Sequence, residues 1–109
     1  MPLSNLSKEE LDLTRRCIHA AADGPFFPEF EFATIFGCER AEVRDILKLW
    51  PNVDDSDSLI SMAINNTFNN LLGYPHGMEP QVLAMTRASM KEVEALYTKW
   101  LNGSPGGIR

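Results

Sequence analysis

The sequence predicts an all-α fold: a compact bundle of four main helices, the last of them long, together with a short helix rich in phenylalanine. Three observations support this prediction. Apolar residues recur at helical spacing in several segments, capping residues or glycine and proline mark the segment ends, and no segment alternates as a strand would. A chain of 109 residues suits a single domain, and we expect residues 1–6 and 104–109 to be flexible ends.

The first two predicted helices have clear start and stop signals. Ser7 and Glu10 form a capping box, which predicts a helix over residues 8–22 that ends at Asp23-Gly24-Pro25. A short helix over residues 29–36 follows and stops at the next glycine. Five of the chain's six phenylalanines surround this short helix, which predicts a core anchored by aromatic rings or, alternatively, an apolar groove or dimer surface. These are Phe26, Phe27, Phe30, Phe32 and Phe36.

The third predicted helix, residues 39–50, has the clearest apolar stripe. Its inner residues fall at i, i+3, i+4 and i+7, as one face of a helix requires. They are Val43, Ile46, Leu47 and Trp50. Three bases, Arg40, Arg44 and Lys48, follow one another at intervals of four on the outer surface. With the preceding helix and turn, this stripe resembles a DNA-binding helix-turn-helix in outline.

Two further helices complete the prediction. The fourth covers residues 57–72 and takes Asp55 or Ser56 as its N-cap. The last opens at Met78-Glu79-Pro80, with Pro80 in its first turn, and runs to about Asn102 as one long amphipathic helix, which must pack along most of the domain or along a second copy. Its buried side includes residues that repeat at seven, among them Leu83, Met90 and Tyr97. We recognise no internal repeat in the sequence.

The predicted binding surface lies at the end of the fourth helix. Two adjacent pairs of asparagines fall four residues apart, so all four carboxamides share one helical face. Asparagine is a poor helix former, and a plain solvated face would not need four of them. We predict that this face and the turn after it form a binding site. Its residues are Asn65, Asn66, Asn69, Asn70, Tyr74 and His76.

Two alternatives stay open for these residues. The carboxamides fit a solvated face or bonds to backbone groups inside the domain as well as a recognition surface. The turn around His76 contains glycine and proline, which often serve only to end a helix.

Composition narrows the classes of function. The net charge of −5 disfavours nucleic-acid and anionic-membrane binding and suits a basic partner. The two cysteines, Cys17 and Cys38, have no metal or redox spacing and indicate a reduced cytoplasmic protein, although one disulfide between them stays open. No apolar stretch approaches the length of a membrane span.

Motifs for chemistry are missing from the sequence. The acidic run from Asn52 has neither the glycine nor the glutamate of a calcium loop, and the cysteines and histidines do not have zinc-site spacing. Phosphate-loop and hydrolase motifs are also absent. We therefore predict no catalytic residue, no metal and no cofactor.

The sequence favours a small acidic, non-enzymatic protein-binding module. An inhibitor or immunity-type protein, or a regulatory partner of a basic protein, has these features. One alternative is a self-associating helical protein with a small-molecule pocket. A second is a helix-turn-helix DNA-binding regulator that uses the basic stripe of the third helix.

Overall fold

The computed structural model describes residues 2–74 and 76–102. Within them the chain forms a 3-10 turn, Pro2–Asn5, followed by six α-helices and no strand. The helices are α1 (Lys8–Asp23), α2 (Glu29–Phe36), α3 (Arg40–Leu49), α4 (Ser58–Gly73), α5 (Glu79–Thr86) and α6 (Met90–Asn102). The predicted all-α bundle is confirmed, and α2 has the bounds predicted for it. The capping box of Ser7 and Glu10 begins α1 as expected.

The prediction of a single long helix from Met78-Glu79-Pro80 to Asn102 is wrong. The chain breaks after α5, where Arg87 adopts the left-handed conformation with φ of 57°. Ser89 then begins α6, because its hydroxyl accepts from the Glu92 amide and the Glu92 carboxylate accepts from the Ser89 amide. This second capping box was visible in the sequence. As a result, Leu83 is 52% exposed and does not lie in the core.

Two smaller predictions are also corrected. Asp57 is the N-cap of α4, since its carboxylate accepts from the amides of Leu59 and Ile60; neither Asp55 nor Ser56 caps this helix. Asp55 is buried and accepts from the Leu3 amide at 2.8 Å. We expected residues 1–6 to be a flexible end, but the 3-10 turn packs against α6. The predicted tail, residues 104–109, lies outside the described residues.

The two halves of the chain repeat one helical plan at an interval of 50 residues. α4 begins and ends 50 residues after α1, α5 does so relative to α2, and α6 begins 50 residues after α3. The turn before the third helix of each half holds a residue with positive φ, Gly37 at 74° and Arg87 at 57°. We name residues 7–50 repeat 1 and residues 57–100 repeat 2. The expectation of no internal repeat is therefore wrong.

Low sequence identity hides this repeat. Only five equivalent pairs of positions carry the same residue in an alignment without gaps. They are Pro25 and Pro75, Glu29 and Glu79, Glu42 and Glu92, Val43 and Val93, and Trp50 and Trp100.

Each repeat packs its short helix on the long first helix of the other repeat. α2 lies on α4, α5 lies on α1, and α1 and α4 contact each other. Hydrogen bonds follow this exchange: Asn66 in α4 donates to the Phe36 carbonyl at 2.8 Å, and Arg16 in α1 donates to the Thr86 carbonyl at 2.7 Å. Both donors and both acceptors are 50 positions apart. The domain is therefore a reciprocal, pseudo-twofold pair of repeats.

The core is aromatic in repeat 1, as predicted, with one exception. Four of the five phenylalanines are buried, whereas Phe30 is 85% exposed. Cys17 and Cys38 are also buried and carry free thiols. Burial raises the pKa of Cys17 to about 12 and, with Glu42 and Glu39 nearby, that of Cys38 to about 11. Both thiols are therefore protonated and unreactive at neutral pH.

Candidate binding surface

Two of the predicted asparagines hold the end of α2 against α4. Asn70 is 8% exposed and donates to the carbonyls of Ile35 at 3.0 Å and Asn66 at 2.9 Å. Asn66 donates to the Phe36 carbonyl. The last carbonyls of a helix have no partner within that helix, so these carboxamides supply what α2 lacks. These two residues have a structural role, which was one of the open alternatives.

The other two asparagines differ in exposure. Asn65 is half-buried; its carboxamide oxygen accepts from the Tyr97 hydroxyl at 2.7 Å and its nitrogen donates to Asn66 at 3.3 Å. Asn69 is exposed. Of the four asparagines, Asn69 therefore offers its carboxamide most openly to a partner.

Tyr74 and His76 lie beside the beginning of α2. The Tyr74 hydroxyl donates to the Glu31 carboxylate at 2.7 Å, and this bond raises the pKa of Tyr74. The His76 ring lies 5.4 Å from that of Phe26, between centroids. Its Nε2 is 2.9 Å from the Leu71 carbonyl, and its Nδ1 accepts from the Met78 amide at 2.9 Å. A neutral imidazole with its proton on Nε2 satisfies both contacts.

The structure reveals an exposed feature that the sequence prediction assigned to the core. Phe30 lies in the first turn of α2 with its side chain 85% exposed. It is flanked by Glu29, whose side chain is 82% exposed, and by Glu31. We name these three residues the Phe30 knob. Because Glu31 bonds to Tyr74, the knob adjoins the predicted site. The sequence signal that was missed is spacing. Phe30 lies two residues before the buried Phe32, and residues two apart on a helix do not share a face.

The two arginines of the basic stripe of α3 bond to other groups of the same domain. The Arg40 side chain is only 13% exposed and donates to the Glu29 carboxylate at 2.9 Å and to the Phe27 carbonyl at 3.1 Å. Its guanidinium also lies 4.2 Å above the centre of the Phe32 ring. Arg44 pairs with Asp23 at 2.7 Å. These arginines are therefore held by intramolecular contacts on the face that a helix-turn-helix would present.

A charged cleft of about 490 Å³ borders the Phe30 knob. It lies between the end of α1 and the beginnings of α2 and α3. Three acids line it together with two bases that are already paired. They are Asp23, Glu29, Glu39, Arg40 and Arg44. This side of the domain therefore presents unneutralised negative charge.

Other classes of site are not found in the part of the chain that the structure describes. No group of three or more histidine, cysteine, aspartate or glutamate side chains is placed to hold a metal ion in residues 2–74 and 76–102. Among the same residues, no helix has the length and apolarity needed to cross a membrane.

Comparison of the chain with protein-family models, with curated proteins and with solved structures gives no match.

Proposed function

We propose that this chain is a non-enzymatic protein-binding module that acts as an inhibitor or regulatory partner of a basic protein, and that the Phe30 knob is its main contact. The observation that carries this proposal is a phenylalanine that is 85% exposed on a well-packed domain. Aromatic side chains that fill a partner's pocket are common anchors of protein interfaces. The exposed ring of Phe30 can act as such an anchor.

Charge around the knob supports a basic partner. Between Asp23 and Glu42 the chain carries five acids and one base, Arg40, which is mostly buried. A negative surface of this kind speeds the approach of a basic protein and disfavours acidic ones. Asn69, the exposed member of the predicted site, is a candidate for a secondary polar contact.

The state of the cysteines supports a reducing compartment such as the cytoplasm. Cys17 and Cys38 are both free, although each is buried within the same domain. Proteins of oxidising compartments tend to pair their cysteines. We include this location in the proposal.

Site-specific photo-crosslinking in cells of the native source tests the contact. A photoreactive phenylalanine analogue placed at position 30 is expected to capture one basic protein, identified by mass spectrometry. The matched control places it at Leu83, the exposed apolar residue of α5. Capture of an acidic protein, of a second copy of this chain, or of the same proteins from both positions would overturn the proposal.

Calorimetric titration of the captured partner tests the energetics. Phe30→Ser is expected to weaken binding at least about tenfold, since interface anchors contribute about 2 kcal/mol or more. Leu83→Ser should bind as the wild type does. Raising the salt concentration should slow association, because the steering charges are exposed. Equal affinities of the wild type and Phe30→Ser would contradict the assignment of the contact.

A further inference from the structure

We propose that a cleft beside Trp50 binds a small aromatic carboxylate. The cleft has a volume of about 250 Å³ and lies between the beginning of α1 and the end of α3. Apolar walls and two cations line it. Its residues are Lys8, Leu11, Asp12, Arg15, Trp50 and Pro51. This site is separate from the Phe30 knob, and the inference does not rest on the proposed function.

The floor of the cleft suits a flat apolar group. The Trp50 indole N–H donates to the Leu11 carbonyl at 3.1 Å, which fixes the ring while leaving it partly exposed. Leu11 and Pro51 add apolar walls. Aromatic rings stack favourably in offset or edge-to-face contact with such an indole. The volume is below the roughly 300–1,000 Å³ of sites for drug-sized ligands, so it fits a ligand of one or two rings.

Positive charge at the rim suits a carboxylate. Lys8 and Arg15 both line the cleft. The carboxylate of Asp12 is already bonded to Arg15 at 3.1 Å and to Arg16. The hydrogen bond from Arg15 lowers the pKa of Asp12, and the charges of Arg16 and Arg87 lower it further. A chain of net charge −5 therefore has a local excess of positive charge here.

Repeat 2 lacks the two cleft cations at the equivalent positions. Lys8 is replaced by Ser58 and Arg15 by Asn65. The equivalent indole, that of Trp100, is buried at 1% exposure. The asparagines singled out in the sequence therefore lie where repeat 1 carries its arginines.

One of the two cations that line the cleft carries a local energetic cost. Lys8 occupies the first turn of α1, where the helix dipole disfavours positive charge. Local costs of this kind are typical of functional sites.

Nuclear magnetic resonance of the full chain tests the proposal with 2-naphthoate as the probe. The chain has two tryptophans, whose indole N–H resonances are assigned with Trp50→Phe and Trp100→Phe. We expect 2-naphthoate to shift the Trp50 resonance saturably and to leave that of Trp100 in place. The neutral 2-naphthamide and the cationic 2-naphthylmethylamine should bind at least fivefold more weakly.

A matched pair of variants locates the carboxylate. Lys8→Gln/Arg15→Gln should weaken 2-naphthoate binding at least fivefold, while Asp12 keeps its bond to Arg16 and the fold its helices, checked by circular dichroism. Lys91→Gln, which removes an exposed cation outside the cleft, should have no effect. No saturable shift at Trp50, equal affinity for all three naphthalene probes, or an unchanged affinity in the double variant would overturn the proposal.

Discussion

Repeat 1 and repeat 2 share a backbone plan but carry different chemistry on it. Their helices begin 50 residues apart, yet only five equivalent pairs of residues are identical. Two of the shared residues, Val43 and Val93, are fully buried, and two others, Glu42 and Glu92, close a capping box at the third helix. The comparison teaches that this three-helix unit keeps its backbone plan while most side chains differ and a few buried and capping positions stay the same.

The repeats also use different donors for the free carbonyls at the end of their short helices. The end of α2 is bonded by two carboxamides of α4, whereas the end of α5 is bonded by the guanidinium of Arg16. Neutral donors fit the buried position of Asn70, because burying a charge costs more. Arg16, the donor in α1, is still partly exposed, so its charge costs less.

The largest difference should appear on truncating equivalent core residues. Phe32 is 1% exposed, stacks on Phe36 at 4.2 Å and supports Arg40. Phe32→Ala should lower the free energy of unfolding by about 3–5 kcal/mol, whereas Val82→Ala at the equivalent position should lower it by about 2 kcal/mol. Urea denaturation measures both. Equal losses would show that the aromatic core of repeat 1 adds no stability over its aliphatic counterpart.

Removing a carboxamide tests the reciprocal helix caps. Asn70→Ala should lower the free energy of unfolding by about 2 kcal/mol, because the part-buried Ile35 carbonyl loses its side-chain donor. Asn69→Ala, one residue away and exposed, should change it by less than about 0.5 kcal/mol. Thermal and urea unfolding of the pair give the comparison. Asn69→Ala as costly as Asn70→Ala would contradict a capping role for this face.

Substitutions at the two left-handed turns should change the free energy of unfolding in opposite directions. Gly37→Ala should cost about 1–2 kcal/mol, since φ is 74° and the new Cβ would lie 2.7 Å from the Met62 sulfur. Arg87→Gly should gain about 0.5–1 kcal/mol by relieving the backbone at φ of 57°. Denaturant midpoints report both. A loss on Arg87→Gly would mean that the arginine side chain contributes more than its backbone costs.

The smallest effect concerns pH and one pair of equivalent positions, Glu10 in repeat 1 and Ile60 in repeat 2. Hydrogen bonds from Lys99 and then from the Ser7 amide lower the pKa of Glu10 below 4.5. Its contribution to stability is therefore present above about pH 4.5 and is lost as the pH falls through the folded value. Being partly exposed, it is worth less than about 1 kcal/mol.

Glu10→Gln should accordingly flatten the fall in stability below about pH 5 and have its largest effect at neutral pH. The equivalent residue of repeat 2, Ile60, has no charge to titrate. Urea midpoints from pH 7 to pH 3 measure this contribution. A variant whose pH profile runs parallel to that of the wild type would remove Glu10 as a contributor.

The fold could be predicted from the sequence where local signals decide it. The capping box at Ser7 and the glycine after α2 gave correct ends, but the seven-residue spacing of Leu83, Met90 and Tyr97 concealed the break at Arg87. An arginine in a left-handed turn gives no sequence signal, whereas the capping box beginning at Ser89 did.

The candidate site was harder to predict, because the partners of its side chains lie far away in the chain. Asn66 and Asn70 are separated by 30 and 35 residues from the carbonyls that they bond. No local pattern shows which helix end lies beside a polar face. The spacing of Phe30 and Phe32 indicates that only one of them is buried by α2, but which one depends on how α2 lies across α4.

The exchange of short helices between the repeats makes the segment from Pro51 to Ser56 a natural point for splitting the protein. Each fragment would contain one helix of every pair that joins the two repeats, since α2 packs on α4 and α5 packs on α1. In either fragment alone, the surface that packs against the other repeat is uncovered. When the two fragments associate, these surfaces cover each other. Two separately expressed fragments should therefore reassemble on mixing, which would make this domain a compact two-part complementation tag.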